Sequence, residues 1–217
     1  MKILALETAT EALSVAVLID DTVHAHHEVA PRRHGELLLP TVEHLLAAAD
    51  VALADLDAIA FGRGPGAFTG VRIAVSAAQG LAFGAGLKVV PVSTLAALAQ
   101  DALNAGQSRV IAAIDARMGE VYAACYTPDA DGLAELTGDE WLGPAAAFKA
   151  PAGAWFGAGT GFGAYPDGFS VELAGLDPSA LPTAAAVARL AARDAAAGRL
   201  VAPEHAAPVY LRDNVTG

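Results

Sequence analysis

The stretch ILALETATEALSVAVL, Ile3–Leu18, can be laid over IAAIDARMGEVYAACY, Ile111–Tyr126, with Glu7 opposite Asp115. Each is a short apolar strand, an acidic residue at its end, a polar turn, and a second strand of aliphatic, aromatic or alanine residues. That is the pattern of a β-hairpin. The offset of 108 residues is half of the 217-residue chain, so the echo predicts a duplication.

Working outward from the first hairpin, TVHAHHEVA reads as a third strand. HGELLLPTVEHLLAAAD reads as a helix with Leu37, Leu38, Val42, Leu45 and Leu46 near one face. Pro40 lacks the amide donor of an interior helical position and is expected to kink this helix or to start a second one. LDAIAFG is a buried strand, and TGVRIAVSAAQGLAFGA is a helix that Thr69 can cap. KVVPVS is the next strand, followed by the helix TLAALAQDALNAG, which Gly106 ends. The order is of βββαβα type and restarts at Arg109. The second half is degraded by comparison: between Thr127 and Pro182 it is rich in glycine, proline and alanine, with WFGAGTGFGAY as its one concentrated feature. A helix from Ala184 to Ala197, capped by Thr183, precedes a tail containing PVYLR. Two lobes are expected, residues 1–106 and 107–217, in an α/β fold of the actin-like (ASKHA) and sugar-kinase-like kind, where nucleotide phosphates sit between paired hairpins.

A 54% hydrophobic content supplies a packed core, and 13 basic against 24 acidic residues give a net charge of −11. That charge disfavours unaided binding of a polyanion. The single cysteine, Cys125, cannot form an internal disulfide and suits a reducing cytoplasm. The longest apolar tract, Ile73–Leu87, carries Ser76, Gln79 and three glycines and falls short of the ~20 residues of a membrane span.

The glycine-rich FGRGPGAFTGVR, Phe61–Arg72, is neither a Walker A loop, since Val71 and Arg72 follow Gly70, nor a dinucleotide fingerprint by its spacing. Two readings stand: a tight strand-to-helix turn, or an anion site at a helix N-terminus using Gly66 and Arg72. Along the following helix Ser76, Gly80 and Gly84 recur every four residues and make a smooth stripe. An opposite face of Val71, Ala74, Val75, Ala78 and Ala82 is apolar, so the helix calls for two partners. Each interior glycine costs roughly 1 kcal/mol relative to alanine; the stripe therefore implies a second helix in close approach, from this lobe or from another subunit. Asp115 could act as a base or orient magnesium in a kinase, or be a turn acid paired with Arg117. The loop GAGTG, with Gly157 and Gly159, could contact a nucleotide in the second lobe. No histidine pattern forms a metal site: His34 and His44 lie about 15 Å apart along a helix, and His24 and His26 share a strand face without a third ligand.

LALETAT, FGRGPGAFTGVRIAVSAAQGLA, PVSTLAAL, DARMGEVY, GAGTG and the terminal YLR together resemble the TsaB (YeaZ) family, from Lys2 to Arg212. The resemblance implies a non-catalytic, cofactor-free subunit of bacterial tRNA threonylcarbamoyladenosine synthesis. Its first-lobe helices would pack on the catalytic paralogue TsaD, joined by the ATPase TsaE; TsaD modifies N6 of adenosine 37 in tRNAs that read codons beginning with A. The family also implies a homodimer when the chain is isolated and contact with tRNA only through the complex. TsaD carries an H-x-x-x-H metal motif where this chain has Thr94 and Leu98. On this reading the glycine loop is architectural, and the partner surface comprises Leu38, Val42, Leu45, Ile73, Ser76, Ala77, Gly80 and Gly84. The competing expectation is an ATP-dependent small-molecule kinase of the same architecture, using Asp115 and the glycine loops. A metallopeptidase is disfavoured for want of ligands.

Overall fold

The computed structural model describes residues 1–212 and forms two five-stranded sheets. The first lobe runs β1 (Lys2–Glu7), β2 (Ala12–Ile19), β3 (Thr22–Val29), α1 (His34–Ala48), β4 (Ala58–Gly62), α2 (Phe68–Ala85), β5 (Lys88–Val92) and α3 (Thr94–Asn104). The second runs β6 (Val110–Arg117), β7 (Glu120–Pro128), β8 (Ala134–Gly143), β9 (Trp155–Ala158), α4 (Thr160–Ala164), β10 (Leu173–Asp177) and α5 (Ala184–Ala196). The sheet orders, β3-β2-β1-β4-β5 and β8-β7-β6-β9-β10, are the same, with the first three strands antiparallel and the last two added in parallel. The hairpin echo is therefore a repeat of topology: the first lobe runs βββαβαβα, a strand and a helix beyond the βββαβα order, and the second keeps the same strand order with a 3-10 turn where the first helix would stand.

Strand composition follows position in the sheet. β1 and β4 lie at the centre, are apolar along almost their whole length and are buried on both faces. Edge strand β3 alternates between exposed and half-buried residues, which accommodates its three histidines. The segment 127–182 is more regular than its composition suggests, because β8, β9 and β10 complete the second sheet. What the second lobe lacks is helix: a single 3-10 turn, Ala145–Ala147, follows β8, and α4 has five residues against the 18 of α2.

The helix at the end of each lobe packs on the sheet of the other. α5 lies across β1, β2, β4 and β5, α3 lies on β6, β7 and β8, and the two touch. One hydrophobic cluster joins Ile3, Ala60 and Val90 of the first sheet to Ile114, Tyr126 and Leu190 of the second lobe. Polar contacts fix the exchange. Thr183, the α5 N-cap, accepts from Ala186 N, and Asp101 of α3 accepts from its N–H and hydroxyl at 3.1 and 2.9 Å. Ser14 of β2 accepts from Ala184 N at 2.9 Å.

Two local expectations are corrected. Thr69 does not cap α2, which begins at Phe68 behind Ala67; the Ala67 amide donates instead to Ala9 O at 2.7 Å, which brings the chain into the helix earlier. Pro40 does not start a second helix: α1 runs through it as one element, with that proline on the exposed side.

A bare helix face and a cleft between the lobes

Gly62, Gly66 and Gly70 are glycines because the first hairpin lies on top of them. A methyl group on Gly62 would overlap the Glu7 carboxylate, one on Gly66 the Ala9 carbonyl, and one on Gly70 the Thr8 carbonyl. Thr8 Oγ1 in turn donates to Gly70 O at 2.7 Å. In the second lobe Gly159, at φ +113°, and Gly161 are pressed against Ala113 in the same way, and Gly157 faces Phe162 and Leu176. These glycines serve close backbone packing.

The two hairpin acids have diverged. Glu7 is buried, accepts from Ala9 N at 2.7 Å and from Thr94 Oγ1 at 3.0 Å, and is pushed up from 4.5 to about 7 by desolvation. Asp115 is held by Arg117, whose amide and guanidinium donate to it at 2.8 and 2.7 Å, and Tyr165 OH donates at 3.3 Å. This is the turn-acid arrangement, and it occupies the carboxylate that a kinase base would need free. Arg72 is engaged by aromatic partners: its guanidinium stacks 3.5 Å over Phe68, and its Nε donates to Tyr210 OH at 2.8 Å. At the spacing of the paralogue's metal motif, Thr94 is spent on Glu7 and Leu98 is buried in the shared core. Among the described residues no three His, Cys, Asp or Glu side chains group to hold a metal ion.

Between the hairpins lies a cleft of about 980 Å³. Its first-lobe wall is Ala9–Glu11 and Pro65–Val71, and its second-lobe wall is Ile114–Met118 with Thr160.

The outer face of the first lobe is divided. Leu38, Val42 and Leu45 are buried, between 2% and 7% exposed, in the cluster that joins α1 to the first sheet. They are core residues and leave the partner surface, because an amphipathic helix turns its strongest apolar stripe onto its own sheet. On α2 the residues Val71, Ala74, Val75, Ala78 and Ala82 do the same. The other side of α2 is open: Ser76, Gly80 and Gly84 are exposed, Ile73 and Ala77 half-buried, and nothing lies within 4 Å of a methyl group built on Gly80 or Gly84. Phe83 stands beside them 77% exposed, and Leu39 of α1 is 49% exposed. Sequence reasoning missed both, although Phe83 lies three residues after Gly80, the spacing of helical neighbours.

A family model for TsaD, tRNA N6-adenosine threonylcarbamoyltransferase, matches residues 17–215. The tRNA threonylcarbamoyladenosine biosynthesis protein TsaB of Escherichia coli is 47% identical, over 99% of this chain and 96% of its own length. The TsaB protein of Haemophilus influenzae is 38% identical over 100% and 95%. The solved structure of YeaZ from Pseudomonas aeruginosa superposes with a TM-score of 0.94 at 50% identity, covering 97% of this chain and 99% of that one.

Proposed function

This chain belongs to the TsaB (YeaZ) family of tRNA threonylcarbamoyladenosine biosynthesis proteins, and we propose that it is the non-catalytic subunit which binds and activates a TsaD-type transferase. The reaction served is N6-threonylcarbamoylation of adenosine 37 in tRNAs that read ANN codons, with a TsaE-type ATPase joining the assembly. The tRNA is reached only through the complex, which suits a chain of net charge −11. The setting is cytoplasmic; no helix among the described residues is long and apolar enough to cross a membrane.

The observation that carries this reading is the outer side of α2. A helix interior holding Gly80 and Gly84 gives up roughly 1 kcal/mol per glycine relative to alanine, and nothing in the monomer compensates, since no atom approaches either site. A helix from another chain seated on Ser76, Gly80 and Gly84, with Ile73 and Ala77 beneath it, would recover that cost through close backbone packing. The same face would pair two copies when the catalytic partner is absent. The kinase reading is supported by the interlobe cleft but opposed by the engaged Asp115 and the occupied glycine turns.

Mass measurement of the chain alone and with its cognate TsaD-type partner tests the proposal. Gly80→Leu should leave the monomer folded and weaken the complex by about 5- to 150-fold, the equivalent of ~1–3 kcal/mol of overpacking. Parent-like affinity of the folded variant would remove the α2 face from the reading. Appreciable ATP turnover by the purified chain alone would favour the kinase.

A further inference from the structure

The tail residues Val209–Arg212 touch both walls of the interlobe cleft within four positions. Val209 N donates to Arg63 O at 2.8 Å, and Val209 O packs 3.2 Å from where a side chain on Gly64 would begin. The Tyr210 ring lies 5.8 Å from that of Phe68, and its hydroxyl accepts from Arg72. All of these partners belong to the first lobe. Two residues on, Arg212 crosses to the second: its guanidinium pairs with Glu120 at 2.7 Å and donates to Ala116 O at 3.2 Å and to Met118 Sδ at 3.4 Å. The receiving turn is unusual, since Arg117, Met118 and Gly119 all have left-handed backbone, at φ +63°, +57° and +83°, a conformation non-glycine residues rarely adopt.

We propose that Val209–Arg212 form a strap which ties the β6–β7 turn to the start of α2 across the mouth of the cleft, so that the cleft walls open fully to solvent and ligands only when the strap releases. The contacts are of a kind suited to release. Arg72 on Phe68, Tyr210 on both, and Arg212 on Glu120 are partly exposed stacking and ion-pair contacts, each weak alone. None of the strap's side chains belongs to the hydrophobic clusters of either lobe. The strap also gives Arg72, at the head of α2, its partner in Tyr210. It stands apart from the outer α2 face, so its failure and that of the proposed partner surface are separate results.

Hydrogen–deuterium exchange of the full chain carrying Tyr210→Ala and Arg212→Ala together tests this. Segments 66–71 and 114–119 should exchange roughly 3- to 10-fold faster than in the parent, the loss expected from two such contacts, while β1, β4 and α5 keep their protection. Tyr210→Phe, which keeps the ring and loses the Arg72 bond, should lie between. Unchanged exchange at both walls in the folded double variant overturns the strap, and so does a change confined to 66–71, since the tail would then not bridge the lobes. If the double variant does not fold, Glu120→Ala removes the ion pair that anchors the far end without touching the tail, and unaltered exchange at 114–119 in that variant overturns the proposal equally.

Discussion

The two lobes share a strand order but cover the outer faces of their sheets by different means. The first uses α1 and α2, two regular helices whose buried stripes meet β1, β2 and β4. The second has no comparable helix and uses aromatic side chains from β8, α4 and the loops between. Phe162 stacks on Phe169 at 4.2 Å, Phe148 meets Phe169 at 6.2 Å, and Trp141 meets Phe148 at 5.6 Å, above Ile111, Val121 and Trp155. Large rings bury as much surface per residue as a turn of small helix residues, so either solution seals a sheet. Only the helical one leaves a straight, repeating surface on its far side. The partner function proposed here accordingly resides in the first lobe.

The sharpest way to break this comparison is through the glycine turns, which the two lobes hold in common. Gly70→Ala should destabilise the chain by about 3 kcal/mol, since the added methyl meets the Thr8 carbonyl and backbone cannot yield as a side chain would. Gly159→Ala should cost at least as much, with left-handed backbone strain added. Denaturant midpoints of both variants check this, and a benign Gly159→Ala would end the equivalence of the two turns.

Next in size is pH. In the folded chain Glu7 binds its proton up to about pH 7, whereas the unfolded chain releases it near 4.5. The folded form thus holds more protons between these values, and stability should fall as pH rises from about 4.5 through 7 and then level off. The amplitude from Glu7 is on the order of 3 kcal/mol. Asp101, raised from 3.8 to about 6 by burial, adds a decline of the same sign at lower pH. Glu7→Gln should flatten the upper part of the curve, as followed by thermal midpoints across this range. An unflattened curve would show that the first hairpin acid is not the buried group it is taken for.

The join between the lobes gives a smaller effect. Arg63, just past β4, donates to both oxygens of Glu140 on β8 at 3.1 and 3.2 Å, and Ser93 also donates to that carboxylate. Glu140 is 8% exposed and Arg63 24%. Arg63→Ala leaves a mostly buried carboxylate short of its cation and should cost about 2 kcal/mol, below the range for a fully buried pair because water reaches the arginine. The exchange of α3 and α5 should keep unfolding in urea a single transition; two transitions would mean that the lobes melt separately. The smallest effect is one of gain: Gly84→Ala should stabilise the isolated chain by up to ~1 kcal/mol, because it is an exposed helical site with room for the methyl.

Much of the fold could be read from local pattern. The hairpin pair, Gly106 after α3, and Thr183 ahead of α5 each depend on residues within a few positions of one another, and the structure keeps them. The strands of 134–177 were not legible, since glycine, proline and alanine mask their alternation. Their aromatic cover carried a signal all the same: 10 of the 13 Phe, Trp and Tyr residues lie after residue 106. The candidate site was half legible. Spacing marked Ser76, Gly80 and Gly84 as a bare stripe and Leu38, Val42 and Leu45 as one apolar face of α1, but the family resemblance assigned that face to a partner, and a helix viewed alone does not reveal which sheet it will meet.

By itself the sequence determined that two hairpins repeat, where glycine lets backbone approach backbone, and that α2 has two unlike faces, because these depend on periods of two and about four residues along one chain. Which face would be covered was decided only by the tertiary structure. Bringing α3 and α5 onto opposite sheets and the tail onto Arg72 required contacts between residues far apart in the chain, 170 positions for Ser14 and Ala184 and 138 for Arg72 and Tyr210. Local periodicity carries no information about such partners, since burial and pairing free energies are realised only when distant elements meet.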